Sequence, residues 1–543
     1  MSAGTRDKLN NFVSDTTNEK NSDDKSEITE FFDGCNVLVT GGSGFVGKLL
    51  VEKLLRSCNV AKVYLLMRAK KGKSSEQRYK EHFEDVVYDR LRKEKPDFAS
   101  KVVMVEGGLE DSGLILSSES RDLLRDSHVI FHGAATVRFD DKLRFAVNIN
   151  VRGTKEILLY AREMPNLKAI VHIGTAFSNC VKKFIDEVYY DCPIESDKLL
   201  TLIDILDDEA LEYVTPKIIG KWPNTYAFTK TLAEDVVLKC GKGLPICIVR
   251  PSIMIGTYKE PVEGWINNLY GPTGVVVGAG MGLLRSLHCE HSNIADMIPA
   301  DYVINNIIAA AWDIGTTKTR KSVKALTPGK TDGNESDLNK NSDEDDENPP
   351  IYNCVSSVQN PTTWGEFMKY TETYGTKIPS KKVLWYYGLT LNSNLWIHNI
   401  YIYLFHLFPA VIIDIVARLA GRKPILLNAY KKIHKFSGVI SYFCTQQWKF
   451  RNDNVIKLWN KLNPTDRKIF YFHVGEFSWE DVLSKNIMGV RLFLLNDPID
   501  TIEDSKKRYV ALKVAHYTVV TMVLLLLLWL TWTFLSIIYS MVF

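Results

Sequence analysis

The chain has 543 residues, 45% hydrophobic and 24% charged, which fits a globular protein too long for a single core. A net charge of +3, without a basic patch carrying interleaved aromatics, argues against nucleic acid as a partner. Nine scattered cysteines form no CxxC pair and no zinc-type spacing, which excludes a disulfide framework and a structural metal and reads as a reduced, cytosolic compartment.

Residues 1–30 are polar, lack the apolar run of a secretory signal, and are expected to be a disordered tail. Asn36–Thr40 (NVLVT) then reads as a buried parallel strand. It runs directly into Gly41-Gly42-Ser43-Gly44-Phe45-Val46-Gly47, and a helical pattern follows over 48–57 with Leu50, Val51, Leu54 and Leu55 on one face. Strand, glycine turn and helix in this order suit a dinucleotide. Glycine allows the tight turn and the close approach of backbone to a pyrophosphate, which sits on the positive end of the helix. Thr40, Gly41, Ser43, Gly44, Phe45, Val46 and Gly47 are therefore candidate cofactor contacts.

Lys62–Met67 is a second strand. An NAD site places a carboxylate at its end for the ribose 2′-hydroxyl; here Arg68 stands there, followed by Lys70, Lys71 and Lys73. A guanidinium binds a 2′-phosphate with charge-assisted hydrogen bonds, so Arg68 and Lys71 point to NADPH. Strands at 102–106, Val129–His132, Ala169–Ile173 and 246–249, with helical patterns such as 154–163 between them, extend the series. The fold expected for 31–315 is α/β, a Rossmann-type doubly wound parallel sheet.

Carbonyl reduction by hydride needs a proton donor, and a tyrosine with a lysine one helical turn away supplies one. The YxxxK spacing occurs three times, so spacing alone decides nothing. Tyr213/Lys217 has Pro216 between its members, which disfavours a regular turn, and Tyr509/Lys513 lies outside the sheet region. Tyr226/Lys230 precedes a strand and is the pair expected to act. A third hydroxyl at the end of the strand Ala169–Ile173 would orient the carbonyl, with Thr175 preferred and Ser178 its competitor.

Residues 316–350 begin basic and end acidic and are expected to be a disordered loop. A mainly helical C-terminal domain is expected over 351–505. Within it, 395–416 is apolar but carries His398, Asn399, His406, Pro409 and Asp414, so a buried or interfacial helical hairpin is favoured over a membrane span. Residues 519–538 (VVTMVLLLLLWLTWTFLSII) are uncharged and long enough to cross a bilayer, giving an expected anchor over 515–540. Lys506, Lys507, Arg508 and Lys513 on its N-terminal side place the bulk of the chain in the cytosol.

TGGSGFVG, FHGAATVRFDDKL, VHIGTAFSNC, NTYAFTK, RPSIM and GWINNLYGPTG, in that order, together resemble the fatty acyl-CoA reductases, extended short-chain dehydrogenases with their own C-terminal domain. The likeness continues into HLFPAVIIDIVARLAGRKP and spans about 32–500. The resemblance implies reduction of a long-chain acyl-CoA by NADPH, in two hydride transfers through an aldehyde, to a primary alcohol. It implies Tyr226 as general acid, Lys230 setting its pKa and holding the nicotinamide ribose, and Thr175 on the carbonyl oxygen. Ala134 and Ala135 would line the cofactor, with Pro251 and Ser252 near the nicotinamide. No metal is implied. The lipid bilayer is the second partner, the anchor placing the enzyme on the endoplasmic reticulum or the peroxisome, and the oligomeric state stays open. The sequence departs from the family pattern at Gly108, at Gly174 and Phe177, at Asn267 and at Met281. A sterol or ketone reductase of the same superfamily and a non-catalytic NADPH- or lipid-binding scaffold are the competing readings.

Overall fold

A computed structural model describes residues 25–69, 72–110, 113–326 and 348–542. Eight strands form the central sheet: β1 (Asn36–Thr40), β2 (Lys62–Met67), β3 (Val102–Glu110), β4 (Gly113–Leu116), β5 (Val129–His132), β6 (Ala169–Ile173), β7 (Ile246–Pro251) and β8 (Ile351–Cys354). Their order is β8-β7-β6-β5-β1-β2-β3-β4, parallel throughout except for the antiparallel β3–β4 pair. β1, β5 and β6 are buried along their whole length, which is why they read as unbroken apolar runs rather than as alternation.

The helices that matter to the site are α1 (Glu27–Phe32), α2 (Phe45–Ser57), α3 (Gly153–Ala161), α4 (Thr225–Cys240) and α5 (Ala300–Leu326). Three more follow, α6 (Leu395–Leu419), α7 (Leu426–Thr445) and α8 (Ile502–Val542). Strand order reverses around β1, with β2 on one side and β5 on the other, and ligands of such sheets bind outside the carboxyl ends at that point. The register puts Thr40 opposite His132 and His132 opposite His172, so these three mark the carboxyl edge.

Three expected boundaries differ from the observed ones. The polar tail was expected to reach residue 30, yet α1 is helical; Ser26 caps it and donates to Asp466, and Ile28 and Phe32 are fully buried. The loop expected from 316 begins inside α5, a helix of 27 residues; residues 327–347, which hold the acidic run, lie outside the described residues. Ile351–Cys354, assigned to a separate C-terminal domain, instead pairs with β7 and completes the sheet. The physical reason is shared burial. Val39, Val171 and Val249 of the sheet belong to the same apolar cluster as Phe470, Trp479, Val482 and Leu483. Charge composition marks where a chain turns polar, not where a later segment returns to an older layer.

Helix α6 is not buried. Trp396, Tyr403, Phe408 and Leu419 are exposed, and the described residues hold two helices, 395–419 and 499–542, long and apolar enough to cross a membrane.

Candidate active site

The glycine turn rests on backbone contacts that no side chain could share. Gly41 has φ +74°, and a Cβ on it would lie 2.8 Å from the backbone of Gly133 and Ala134. A Cβ on Gly47, in the first turn of α2, would lie 2.4 Å from the Gly41 carbonyl oxygen. Gly44 is the N-cap of α2 and brings no side-chain cap, so the amides of the first turn point at the space an anion would take. Gly47→Ala is expected to push helix from strand at a cost of about 1–3 kcal/mol and to abolish dinucleotide binding, read by thermal melting and cofactor titration.

Thr40 is held inside this frame. Its hydroxyl hydrogen-bonds His132 Nδ1 at 2.8 Å and accepts from the Ala134 N–H at 3.2 Å. Burial drives His132 down to about pKa 3, so its ring is neutral, and its Nε2 meets Thr154 Oγ1 at 3.1 Å. Ala134 and Ala135 follow β5 and are half-buried. Phe45 stacks on Trp265 with centroids 5.4 Å apart, and Val46 is half-buried beside it in α2.

At the end of β2 the structure adds a residue the sequence reading missed. Arg78 donates to Ser43 Oγ at 3.1 Å and to the Arg68 carbonyl oxygen. Its pKa is held below the ordinary value by burial and then by the neighbouring Arg68. Arg78 thus ties the end of β2 to the glycine turn, and Arg68 packs its stem against the place where Gly108 has no side chain. Lys70 and Lys71 lie outside the described residues, and Lys73 is engaged with Glu81 at 2.6 Å. A signal was available: Arg78 falls one helical turn past the serine cap Ser74, on a helix that packs at the ends of β2 and β3.

Tyr226 and Lys230 share a face of α4, whose start is fixed by Asn224 accepting from the Ala227 N–H at 2.8 Å. Lys230 is buried and Tyr226 half-buried. Burial pushes the Tyr226 phenol up to about 12, against which a hydrogen bond with Thr175 acts downward. Thr175, just beyond β6, also accepts from the Phe177 N–H at 3.3 Å. Lys230 Nζ donates to the Ile173 carbonyl at 2.8 Å; burial pulls its pKa down to about 8, with Glu234 opposing. Ser178 points elsewhere, donating to Glu234 at 2.8 Å. Pro251 gives its carbonyl to the Ala176 N–H at 2.9 Å, locking the end of β7 to the Thr175 turn, while the Ser252 hydroxyl is buried and its N–H reaches Cys354 on β8 at 3.0 Å.

Of the other YxxxK pairs, Tyr213 is 86% exposed on the helix Asp208–Ile219. That helix accommodates Pro216, so the pair fails through exposure and not, as expected, through a broken turn. Tyr509 belongs to α8.

Beneath the tyrosine a polar network ties loop to helix. Asn150 donates to Thr229 Oγ1 at 2.9 Å and to the Thr136 carbonyl at 3.2 Å, and accepts from the Thr136 N–H at 2.9 Å. It sits in a π-helical stretch, Asn148–Arg152, of the kind found at functional sites. Buried asparagines inside the run FAVNINVRG were the visible clue.

Above the tyrosine the cover is aromatic. Phe139 lies 5.5 Å from Tyr226 and 5.8 Å from Phe443 of α7; Phe177 meets Phe443 at 5.7 Å and Trp448 at 5.3 Å. Phe177 is spent on this packing and leaves no hydroxyl to satisfy. Among the described residues no group of three or more His, Cys, Asp or Glu could hold a metal.

Glycine cradle, carboxyl-edge tyrosine and lysine, and parallel sheet define a nicotinamide-dependent oxidoreductase of the Rossmann type. Two family models, each described as male sterility protein, match residues 39–307 and 405–497. The chain is 38% identical over 507 residues to "Fatty acyl-CoA reductase wat" of Drosophila melanogaster, covering 93% of both chains. It is 36% identical over 504 residues to "Fatty acyl-CoA reductase 1" of Homo sapiens, covering 92% of both. The reductase domain of a nonribosomal peptide synthetase from Mycobacterium tuberculosis shares the fold, with TM-score 0.52 and 16% identity over 85% of this chain and 92% of that one. The chain belongs to the fatty acyl-CoA reductases, and it reduces fatty acyl-CoA to alcohol.

Proposed function

We propose that this enzyme uses NADPH to take long-chain acyl-CoA to the primary alcohol in two successive reductions at one site, on a membrane held by its C-terminal helix. The observation that carries the reading is Thr175 set against the Tyr226 phenol under the roof of Phe139 and Phe443. A polar pair at the reacting carbonyl and an apolar cover match the two ends of a fatty thioester.

NADPH, when bound, supplies hydride. The glycine turn of Thr40 to Gly47 presents the uncapped first-turn amides of α2 to a pyrophosphate, and Arg68 and Arg78, both at the end of β2, suit a 2′-phosphate. Pro251, Ser252, Ala134 and Ala135 border the same carboxyl edge. Thr175 and Tyr226 hold the carbonyl oxygen. In the first reduction the thioester carbon gains hydride and the oxygen gains a proton from Tyr226, giving a hemithioacetal; collapse returns that proton to the Tyr226 phenolate and expels CoA thiolate, which takes a proton from solvent, to leave an aldehyde. In the second the aldehyde gains hydride and its oxygen a proton from the same phenol. With its pKa pushed up to about 12 the phenol is protonated at neutral pH, as a general acid must be, and Lys230, one helical turn on, keeps its positive charge until the pH passes about 8.

Long acyl chains and their alcohols partition into lipid at about 0.8 kcal/mol per buried CH₂, which suits α8 as an anchor. Its basic N-terminal flank supports a cytosolic catalytic body, with the endoplasmic reticulum or peroxisome as the membrane; fractionation with protease protection tests this. The reaction is tested on membranes carrying the protein, supplied with NADPH and acyl-CoAs of graded chain length. Primary alcohol with two NADPH consumed per molecule is expected; accumulation of aldehyde alone would defeat the two-step reading. Arg68→Ala and Arg78→Ala are each expected to raise KM for NADPH by about 10- to 100-fold while sparing the weaker use of NADH. An unchanged NADPH-to-NADH preference would remove the guanidinium pair from the argument.

A further inference from the structure

The helix α6 is inside out for a soluble protein. His398, His406, Ala410 and Asp414, four residues apart or twice that, form its one buried stripe. Each polar group on the stripe is occupied. Ser286 Oγ meets His398 Nδ1 at 2.7 Å, His406 Nε2 accepts from the Arg285 N–H at 2.8 Å, and Asp414 caps α7 by accepting from the N–H groups of Ile425, Leu426 and Leu427. Most of the remaining circumference is exposed and apolar, from Trp396 and Phe405 through Phe408 and Ile412 to Leu419. Water would punish this arrangement over 25 residues; hydrocarbon would reward it.

Charge decides how the helix meets lipid. Arg418, Arg422 and Lys423 lie at the tip of the hairpin, and Lys431, Lys432 and Lys435 are exposed along α7, the return helix packed on α6. Threading the tip through a bilayer would carry these cations into hydrocarbon, which is costly. A helix lying in the interface sinks its apolar side and leaves the cations at the level of anionic headgroups. The site of attachment fits the same surface. Residues 281–285 hold both apolar helices: the Met281 carbonyl accepts from the Trp385 N–H, Trp385 Nε1 donates to His516 of α8 at 3.1 Å, and Arg285 binds His406 of α6.

We propose that α6 is an in-plane membrane helix, its exposed face embedded in an anionic bilayer beside the anchor, so that the protein grips the membrane twice. α7 then rises from the headgroups and ends with Phe443 stacked on Phe139, the ring that meets the reactive tyrosine.

The test uses the full chain in vesicles of phosphatidylcholine and phosphatidylserine, with an environment-sensitive fluorescent amino acid placed by suppression at Phe408, or separately at Lys431 or Leu526. Lipids bearing a nitroxide near the headgroup or near the end of the acyl chain measure depth. Expected is a Phe408 label about 5–10 Å below the headgroup boundary, with the Lys431 label still open to aqueous iodide, and loss of Phe408 quenching when phosphatidylserine is omitted. A Phe408 label at the bilayer centre, about 15 Å deep, would mean a span and overturn the in-plane reading. A label reached by iodide, or shielded only in self-associated protein, would overturn lipid as the occupant. The Leu526 label reports the anchor by itself, so its failure is read separately from that of α6.

Discussion

Tyr226→Phe is expected to lower alcohol formation by about 100- to 10,000-fold while leaving NADPH affinity and the melting temperature close to those of the native protein. The ring stays, so the contact with Phe139 at 5.5 Å survives, and only the proton donor to the developing alkoxide is lost. Thr175 loses its partner on the same oxygen but keeps the Phe177 N–H. Loss of aldehyde and alcohol together is expected if, as proposed, one phenol serves both reductions. A variant that still makes alcohol at a tenth of the native rate would remove Tyr226 as the acid.

The second large effect is on stability. Arg250 is fully buried, and its guanidinium grips Glu234 through two parallel bonds, Nε to Oε1 at 2.8 Å and Nη2 to Oε2 at 2.7 Å. Ser178 and Asn179 donate to the same carboxylate. Glu234→Gln keeps the shape but strands a buried cation, and breaking such a pair costs about 3–5 kcal/mol. A denaturation midpoint unchanged from the native protein would mean that the carbonyls of Asp186 and Val188, which Arg250 also reaches, suffice to hold it. The same change has a kinetic signature. Burial lowers the Lys230 pKa to about 8 and Glu234 opposes that fall, so removing the carboxylate's charge lets it drop further. Native activity is expected to decline as the pH rises through about 8, when Lys230 loses its proton. In Glu234→Gln that decline is expected at lower pH, as a pH–rate profile would record.

The sequence was most legible where local chemistry alone dictates structure. Continuous apolar runs announced β1, β2, β5 and β6, because strands covered on both faces need no alternation. The glycines announced the turn, because a Cβ cannot fit there. Tyr226 was separable from its rivals by the strand that follows its helix. What stayed hidden depends on long-range packing. Arg78 reaches the turn only because its helix folds back beside β2, and Asn150 becomes a site residue only once Thr136 and Thr229 are brought to it. The roof from Phe443 joins residues more than two hundred positions apart, and β8 crosses an interruption that composition reads as a boundary. For α6 the sequence left buried and interfacial open, since apolar residues at helical spacing look alike whether they face a core or lipid.

The lateness of β8 in the chain also bears on biosynthesis. Until Ile351–Cys354 is made, β7 has no neighbour on one side and displays a row of unsatisfied amides and carbonyls. The apolar layer beneath it likewise waits for Phe470 to Leu483. A polypeptide terminated before that point inherits a sticky sheet edge, so the nucleotide half of this enzyme is not a product the cell could use alone. Premature stop codons in the second half should therefore yield aggregates cleared by proteolysis rather than a soluble, partly active fragment.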